Sequence, residues 1–182
     1  TIAACFYQKL GLTPAEVKIK INDRQFLQQK LASAGIKTEL ILPIIKIIDK
    51  KSKVSPESFR QMLSTAGLSS AQIDSTGQIL ADANGYRNSD WLTGILDYVR
   101  QTGLGDFVEF DPAIVRGLDY YTRTVFEGWD VKGKFRSIWG GGRYDNLTQD
   151  VGAKQPIPGV GFAMGDMVME EVLRNCGKYP EL

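Results

Sequence analysis

Residues 115–127 combine side-chain types that could do chemistry within one short, β-prone stretch. The segment holds two arginines, a glycine, two acids and two adjacent tyrosines among apolar residues. These types rarely share an ordinary core strand, because a buried charge is costly unless it is paired. Together they suit a pocket that binds an anion, a ring and a polar group at once.

A second segment, residues 139–145, reads Trp-Gly-Gly-Gly-Arg-Tyr-Asp. Consecutive glycines allow a backbone to approach a ligand closely and to adopt positive φ angles. A bare glycine run is more often a turn, and this one lacks the GxxxxGK[ST] pattern of a P-loop. Both a turn that ends a short strand and a ligand contact remain open. Arg143 and Asp145 could equally form a local structural pair, which is the favoured interpretation.

Composition narrows the classes of function. The chain has 182 residues, 43% hydrophobic and 24% charged, which is typical of one globular domain or a domain with an appendage. A net charge of +1 gives no global basic field for nucleic acid. Histidine is absent, which excludes histidine general bases and Ser-His triads. Two distant cysteines without a CxxC motif predict a reducing compartment, and no apolar run approaches the ~20 residues of a membrane span.

Secondary-structure signals divide the chain into a frame and an insertion. Alternating or β-prone segments between turn residues predict strands at 17–22, 107–110, 115–127, 135–139 and 159–163. Periodic apolar residues and capping signals predict helices at 1–10, 23–34, most of 36–83, 91–101 and 165–175. Within 36–83, Ser55-Pro56-Glu57 predicts one helix start, and Ser69 or Ser70 predicts the next. This order predicts an α+β protein in which a helical insertion, 36–85, interrupts an antiparallel frame formed by 1–35 and 86–182.

The two motifs, in this order and with twelve residues from Glu127 to Trp139, resemble the two histidine-pocket signatures of histidyl-tRNA synthetases. Residues 158–170 resemble motif 3 of class II aminoacyl-tRNA synthetases. The resemblance implies a class II synthetase-type antiparallel sheet flanked by helices, with an inserted all-helical subdomain. It also implies ATP and Mg²⁺ as cofactors, histidine and tRNA(His) as partners, a homodimer, no membrane association and a cytoplasmic location.

The resemblance covers nearly all of the chain but only part of the family. Counterparts of motif 1, motif 2 and the anticodon-binding domain are not found in it, and the chain begins at a threonine. We therefore expect the second half of a catalytic core, which would not turn over alone.

The resemblance assigns the catalytic role to Arg116, against the α-phosphate of ATP. A planar, permanently charged guanidinium suits the charge that builds there when the carboxylate of histidine attacks and pyrophosphate leaves. The structural alternative is an edge strand in which Arg116 pairs with Asp119 or Asp111. Gly117 would form a bulge that re-aims Arg116.

The same resemblance assigns histidine binding to the tyrosines and glycines of both motifs. Tyr121 and Tyr144 would contact the imidazole, and Gly141 and Gly142 would face the bound amino acid. Tyr120 is also assigned to this pocket, although packing within the sheet is an equal alternative for it and for its neighbour Asp119.

Motif 3 would contribute Gly161, Gly165 and Asp166 to ATP binding. The family usually continues with Leu-Glu-Arg after Gly-Phe-Ala-x-Gly, and that arginine clamps the γ-phosphate. Here Asp166, Met167 and Val168 follow, so the clamp is missing. Asp166 could bind Mg²⁺ or lie as an acid at the positive end of the helix, and the second interpretation is favoured. No resident metal site is predicted.

The insertion carries a lysine cluster, Lys46, Lys50, Lys51 and Lys53, with Asp49 as the one nearby acid. By resemblance, an insertion at this place reaches the acceptor stem of tRNA, so Lys50, Lys51 and Lys53 are candidate phosphate contacts. The alternative is an ordinary solvated helix face.

Two other functions remain open. A non-catalytic paralogue that regulates ATP phosphoribosyltransferase in histidine biosynthesis would explain the missing motif-3 arginine, but it has little need for the Arg116 signature. A plain nucleotide- or amino-acid-binding module is the other alternative, and ATP binding without dependence on histidine would indicate it.

Overall fold

A computed structural model describes residues 1–180 of the chain. The strands are β1 (Val17–Asp23), β2 (Val108–Phe110), β3 (Thr124–Asp130), β4 (Trp139–Tyr144) and β5 (Gly159–Met164). The helices are α1 (Ile2–Lys9), α2 (Arg24–Ser33), α3 (Thr38–Ile48), α4 (Pro56–Thr65), α5 (Ser70–Ala81), α6 (Asp90–Gln101), α7 (Leu147–Asp150) and α8 (Asp166–Asn175). Within this part of the chain, no helix has the length and apolar composition that a membrane span requires.

The strands form one sheet in the order β2-β1-β3-β4-β5. β1 and β2 are parallel, and the other three pairs are antiparallel. The register places Gly140 opposite Glu127 and Gly142 opposite both Val125 and Gly161. Directly opposite residues lie on the same face of a sheet, so this register decides which side chains can meet.

One face of the sheet is apolar and closely packed. Ile19, Trp139 and the half-buried Phe126 lie on it, and helices α1 and α8 cover it with Tyr7 and Val172 among other residues. Aromatic rings contact each other across the strands, with 5.8 Å between the ring centroids of Phe126 and Trp139. Burial of this area holds the frame together.

The helical segment has a separate cluster of buried apolar residues. Helices α3, α4 and α5 pack around it together with Leu27 and Leu31 of α2. Ser55 and Ser69 accept hydrogen bonds from backbone amides in the first turns of α4 and α5, and Ser69 forms a full capping box. These caps confirm the predicted helix starts. The proposed division at residues 36 and 85 stays a prediction.

The predicted strand at 115–127 is wrong over most of its length. β3 begins only at Thr124, and residues 115–123 form an irregular loop. β1 ends at Asp23, which pairs with Thr124, and the chain then turns directly into α2. No β1 backbone therefore remains to pair with the earlier residues. Gly117 lies in this loop and not in a strand bulge.

The alternative of a glycine turn that ends a strand at 135–139 is also wrong. The three glycines lie inside β4, which has β3 on one side and β5 on the other. Glycine inside a strand often marks the close approach of another group. Its abundance in a central strand therefore indicates that side chains lie directly against the backbone here.

Candidate active site

The face of the sheet opposite α1 and α8 has glycines where other strands have side chains. Gly140 and Gly142 of β4 and Gly161 of β5 share this face with Glu127 and Val125. A Cβ atom at Gly140 would overlap the guanidinium of Arg116. A Cβ atom at Gly142 would lie 2.6 Å from Cδ1 of Tyr121. The glycines therefore let the predicted site residues lie flat on the strands.

Arg116 is held by Glu127. Nη1 of Arg116 donates to Oε1 of Glu127 at 2.6 Å, and Nε1 of Trp129 donates to Oε2 of the same carboxylate at 2.9 Å. Burial is the largest single influence and works against the charge of Arg116, but the hydrogen bond and the charge of Glu127, with a smaller contribution from Tyr121, together outweigh it, so the pKa of Arg116 lies above its ordinary value. A fixed guanidinium on a sheet face that is partly open to solvent can bind an anion bidentately.

The two acids of the structural alternative for Arg116 have other partners. Asp119 lies 2.9 Å from Nζ of Lys46, and Asp111 lies 2.9 Å from Nζ of Lys20. The alternative in which Arg116 pairs with one of these acids is therefore wrong, because the loop turns Arg116 inward onto β3 and β4.

Arg116 has a backbone φ of 55°. It is the one non-glycine residue with a positive φ in the described chain. A residue with a side chain in this region costs on the order of 1–3 kcal/mol and persists only where its surroundings hold it. Such conformations are concentrated at functional sites.

Three tyrosine rings converge beside Arg116. The ring centroids of Tyr120 and Tyr121 are 4.6 Å apart, and those of Tyr120 and Tyr144 are 6.0 Å apart. The hydroxyl of Tyr120 donates to that of Tyr121 at 3.5 Å. Burial, with the hydrogen bond from Tyr120 as the next cause, raises the pKa of Tyr121 to about 12. The hydroxyl of Tyr121 therefore stays protonated at neutral pH and can donate a hydrogen bond to a polar ring.

The glycines assigned to histidine binding lie on opposite faces. Gly142 lies on the face of Arg116 and Tyr121, whereas a Cβ atom at Gly141 would point at Phe162, 2.5 Å from its Cβ. A histidine contact by Gly141 therefore depends on its backbone alone and stays a prediction. Gly161 lies under Tyr144, whose hydroxyl would be 2.9 Å from a Cβ atom at that position.

Arg143 and Asp145 form the predicted local pair. Nε of Arg143 donates to Oδ1 of Asp145 at 2.8 Å, and Oγ1 of Thr122 donates to Oδ2 at 2.7 Å. The hydrogen bond from Thr122, followed by that from Arg143, lowers the pKa of Asp145 below its ordinary value. This network attaches the end of the Arg116 loop to the end of β4.

Gly165 and Asp166 form the junction between β5 and α8. The amide of Gly165 donates to the carbonyl of Ile138 at 3.0 Å. Asp166 is the first residue of α8, and its Oδ1 accepts from the amide of Met167 at 2.8 Å. Asp166 is thus an acid at the positive end of a helix, as favoured from the sequence, although the N-cap position itself is Gly165.

The lysine cluster lies next to the Arg116 loop. Lys50, Lys51 and Lys53 are exposed at the turn that follows α3, where Nζ of Lys53 lies 3.7 Å from Oδ2 of Asp49. A Cβ atom at Gly117 would lie 3.4 Å from the same oxygen of Asp49. Whatever binds these lysines therefore lies close to the loop that carries Arg116.

Sequence reasoning missed Glu127 and Gly140 as site residues. Both were visible as parts of the two motifs, but their meeting depends on the register between β3 and β4. It also gave no role at the site to Asn22, Asp23 or Arg24. The burial of Arg24 at the first position of α2 is visible only in the structure.

The comparisons with known proteins agree with one another. Residues 4–167 match the model of the histidyl-tRNA synthetase family. The chain is similar to the chloroplastic/mitochondrial histidine–tRNA ligase of Arabidopsis thaliana, with 34% identity over 97% of this chain and 38% of the relative. It is also similar to the histidine–tRNA ligase of Thermoplasma volcanium, with 34% identity over 97% of this chain and 43% of the relative. The chain thus spans less than half the length of these relatives.

Solved structures share the fold. A histidyl-tRNA synthetase from Nostoc sp. PCC 7120 superposes with a TM-score of 0.81 and 24% identity, over 100% of this chain and 47% of the other. A Bacillus halodurans protein, described as an ATP phosphoribosyltransferase regulatory subunit/histidyl-tRNA synthetase, has a TM-score of 0.72 and 20% identity, over 96% and 49%. These likenesses confirm the α+β architecture that the sequence predicted.

Proposed function

Because this chain belongs to the histidyl-tRNA synthetase family, we propose that the full-length protein activates histidine with ATP and transfers it to the 3′ end of tRNA(His). The observation that carries the proposal is the convergence of Arg116 and three tyrosine rings on one glycine-lined face of the sheet. By family resemblance, we also propose a cytoplasmic homodimer.

The tyrosines and Arg116 have different roles in the proposed reaction. Tyr121 and Tyr144 bind the imidazole, and a site that hydrogen-bonds both ring nitrogens rejects side chains without them by large factors. Arg116 lies at the α-phosphate, where it stabilises the charge that develops as the carboxylate of histidine attacks and pyrophosphate leaves. Tyr120 supports the pair of rings, and the backbone of Gly141 and Gly142 borders the amino acid.

The residues present fit the α-phosphate better than they fit Mg²⁺. Nε of Arg116 is buried without a partner in the described chain, and both oxygens of Glu127 are already engaged. No group of three or more acidic or other metal-ligating side chains lies together between residues 1 and 180. Asp166, at the edge of the proposed ATP site with Gly161 and Gly165, is a single acid. We therefore derive no step from Mg²⁺.

The test of the activity is histidine-dependent exchange of pyrophosphate into ATP by the full-length protein. Arg116→Ala should lower the exchange rate by about 10²–10³-fold, the usual effect of removing one charge-stabilising donor. Arg60→Ala, which removes an exposed arginine of α4 paired with Asp74, is the matched control and should leave the rate unchanged. Robust exchange by Arg116→Ala would contradict the assigned role.

We propose that Lys50, Lys51 and Lys53 contact the phosphates of the tRNA acceptor stem. Their position beside the Arg116 loop supports this, because the 3′ end of the tRNA must reach the activated histidine. The triple alanine variant should raise the KM for tRNA. It should also reduce the slope of the logarithm of tRNA affinity against the logarithm of salt concentration by roughly one unit per lost contact. A control that removes three exposed lysines elsewhere, Lys9, Lys132 and Lys154, should not. An unchanged KM in the first variant would refute the proposal.

A second candidate is a regulator of ATP phosphoribosyltransferase. The missing arginine favours it: Asp166, Met167 and Val168 stand where the family usually has Leu-Glu-Arg, and the arginine that α8 does contain, Arg174, is bound to Glu170 at 2.8 Å. A full-length protein that binds histidine and ATP phosphoribosyltransferase but exchanges no pyrophosphate would identify this function.

A further inference from the structure

The Arg116 loop has little regular structure of its own. Residues 111–123 contain no strand or helix, and Arg116 adopts a left-handed backbone conformation. Backbone carbonyls that are not in a β-ladder must be satisfied by other groups. The groups that satisfy them therefore determine where Arg116 lies.

Asn22 forms hydrogen bonds with backbone carbonyls in the first half of the loop. Its side chain is fully buried at the end of β1, and Nδ2 donates to the carbonyls of Pro112 at 2.9 Å and Ile114 at 3.0 Å. One amide group therefore binds two carbonyls that lie two and four residues before Arg116.

Asp23 and Arg24 form hydrogen bonds with residues in the second half of the loop. Oδ2 of Asp23 accepts from Nε of Arg123 at 3.2 Å, and the amide of Arg24 donates to the carbonyl of Arg123 at 3.1 Å. Nη1 of Arg24 donates to the carbonyl of Leu118, two residues after Arg116, at 2.6 Å. Three consecutive residues thus hold the loop at points on both sides of Arg116.

Burial of the Arg24 side chain carries a cost in stability. It is 3% exposed, its Nε has no partner, and within residues 1–180 no carboxylate lies within 4.0 Å of its guanidinium. Burial lowers the pKa of Arg24, while the charge of Asp119 in the loop acts in the opposite direction. A buried charge without a direct ionic partner is destabilising. The cap of α2 does not require it, because Asp23 already accepts from the amide of Gln25.

We propose that Arg24 is a positioning residue for Arg116, acting through the carbonyl of Leu118 with Asn22 and Asp23 as its supports. The role of Arg24 in catalysis rests on the proposed function, but its hold on the loop does not. Loss of the guanidinium would release residues 116–121, so that Arg116 and Tyr121 no longer lie on the glycine face together. A misplacement on the order of 1 Å at such a site can lower a rate by about 10²-fold.

The test uses the full-length protein and the variants Arg24→Met and Leu12→Ala. Methionine keeps much of the length of the side chain but removes the charge and the hydrogen bond. Leu12→Ala is the matched control, because it creates a buried cavity in the apolar cluster that contains Ala4 and Tyr7 of α1 and no residue of the loop. Two readouts are compared: the histidine-dependent exchange rate, and amide hydrogen exchange across residues 116–121.

We expect Arg24→Met to lower the exchange rate by about 10²-fold and to speed hydrogen exchange in residues 116–121. Leu12→Ala should speed hydrogen exchange in α1 and leave the loop and the rate per folded molecule near the wild-type values. In the Arg116→Ala background, Arg24→Met should cost no more than about twofold further, because changes that act through one group do not multiply.

Unchanged hydrogen exchange in the loop of Arg24→Met would overturn the proposal. Losses that multiply in the double variant would overturn it as well, since they would show an effect independent of Arg116. If the wild-type protein exchanges no pyrophosphate, the proposed function fails, and the hydrogen-exchange comparison still decides whether Arg24 holds the loop.

Discussion

The two faces of the β-sheet use the same strands for different purposes. On one face, Phe126, Trp139 and Phe162 contact one another, with α1 and α8 packed on that side. On the other, Gly140 and Gly142 leave space that the side chains of Arg116 and Tyr121 fill. The first face stabilises the fold, and the second positions groups that can bind a ligand.

The glycine run of β4 has a different role on each face of the sheet. Successive residues of a strand point to opposite faces. Gly141 therefore faces Phe162, whereas its neighbours Gly140 and Gly142 face the candidate site. Substitutions on the apolar face should mainly change the free energy of unfolding, and substitutions on the site face should mainly change the reaction rate.

The largest effect is expected on the apolar face. Trp139 is 2% exposed, so Trp139→Ala should lower the free energy of unfolding by about 3–5 kcal/mol, from lost burial and the cavity left behind. Urea unfolding measures this loss. A loss below about 1 kcal/mol would break the comparison, because it would mean that this face does not carry the stability of the frame.

Gly140→Ala should have the next largest effect, and on activity. The new methyl group would overlap the guanidinium of Arg116, which would have to leave β4 and Glu127, whereas no nearby backbone atom would have to shift. We expect the histidine-dependent exchange rate to fall by about 10²–10³-fold, with the free energy of unfolding lowered by no more than the roughly 1–3 kcal/mol that one lost charged hydrogen bond costs. Normal exchange in this variant would show that the position of Arg116 on β4 is unimportant.

Gly141→Ala sharpens the comparison by one residue. Its methyl group would meet the backbone of β5, including Cα of Phe162 at 2.8 Å, which cannot move as a side chain can. Overpacking of this kind costs about 1–3 kcal/mol. Thermal unfolding should show the loss, while the exchange rate per folded molecule stays within a few-fold of the wild type. If Gly140→Ala mainly lowered stability and Gly141→Ala mainly lowered the exchange rate, the roles assigned to the two faces would have to be exchanged.

The smallest effect concerns an ion pair beside the apolar face. The hydrogen bond from Lys178, which follows α8, lowers the pKa of Glu16 from 4.5 to about 2. A lowered carboxyl pKa stabilises the folded state fully above pH 4.5, and the contribution disappears as the pH falls towards 2.

Lys178→Met should therefore lower the free energy of unfolding at pH 7 by up to about 1 kcal/mol. The difference from the wild type should shrink between pH 4.5 and 2, and the exchange rate at pH 7 should not change. A difference that persists at pH 2 would mean that the pair is not its source.

The sequence predicted the fold better than it predicted the site. Alternation placed β1 and β5 to within one residue, and the caps Ser55 and Ser69 placed two helix starts. These features depend on neighbours in the chain. The Arg116 loop was predicted as a strand, because its composition is β-prone and nothing local reveals that β1 ends at Asp23.

The site residues were recognised by resemblance, but their geometry depends on long-range contacts. The pairing of Arg116 with Glu127, and the separation of Gly141 from Gly142, follow from the register of β3 and β4. The hold of Arg24 on Leu118 joins residues 94 positions apart. Periodicity and spacing carry no information on such contacts, because they describe one segment at a time.

The most direct test of the account is a crystal structure of the full-length protein with histidine and a non-hydrolysable ATP analogue. We predict the imidazole among Tyr120, Tyr121 and Tyr144, and the α-phosphate within hydrogen-bond distance of the guanidinium of Arg116, on the face that carries Gly140. Ligands bound elsewhere, or an α-phosphate out of reach of Arg116, would contradict the claim that this face of the sheet is the active site.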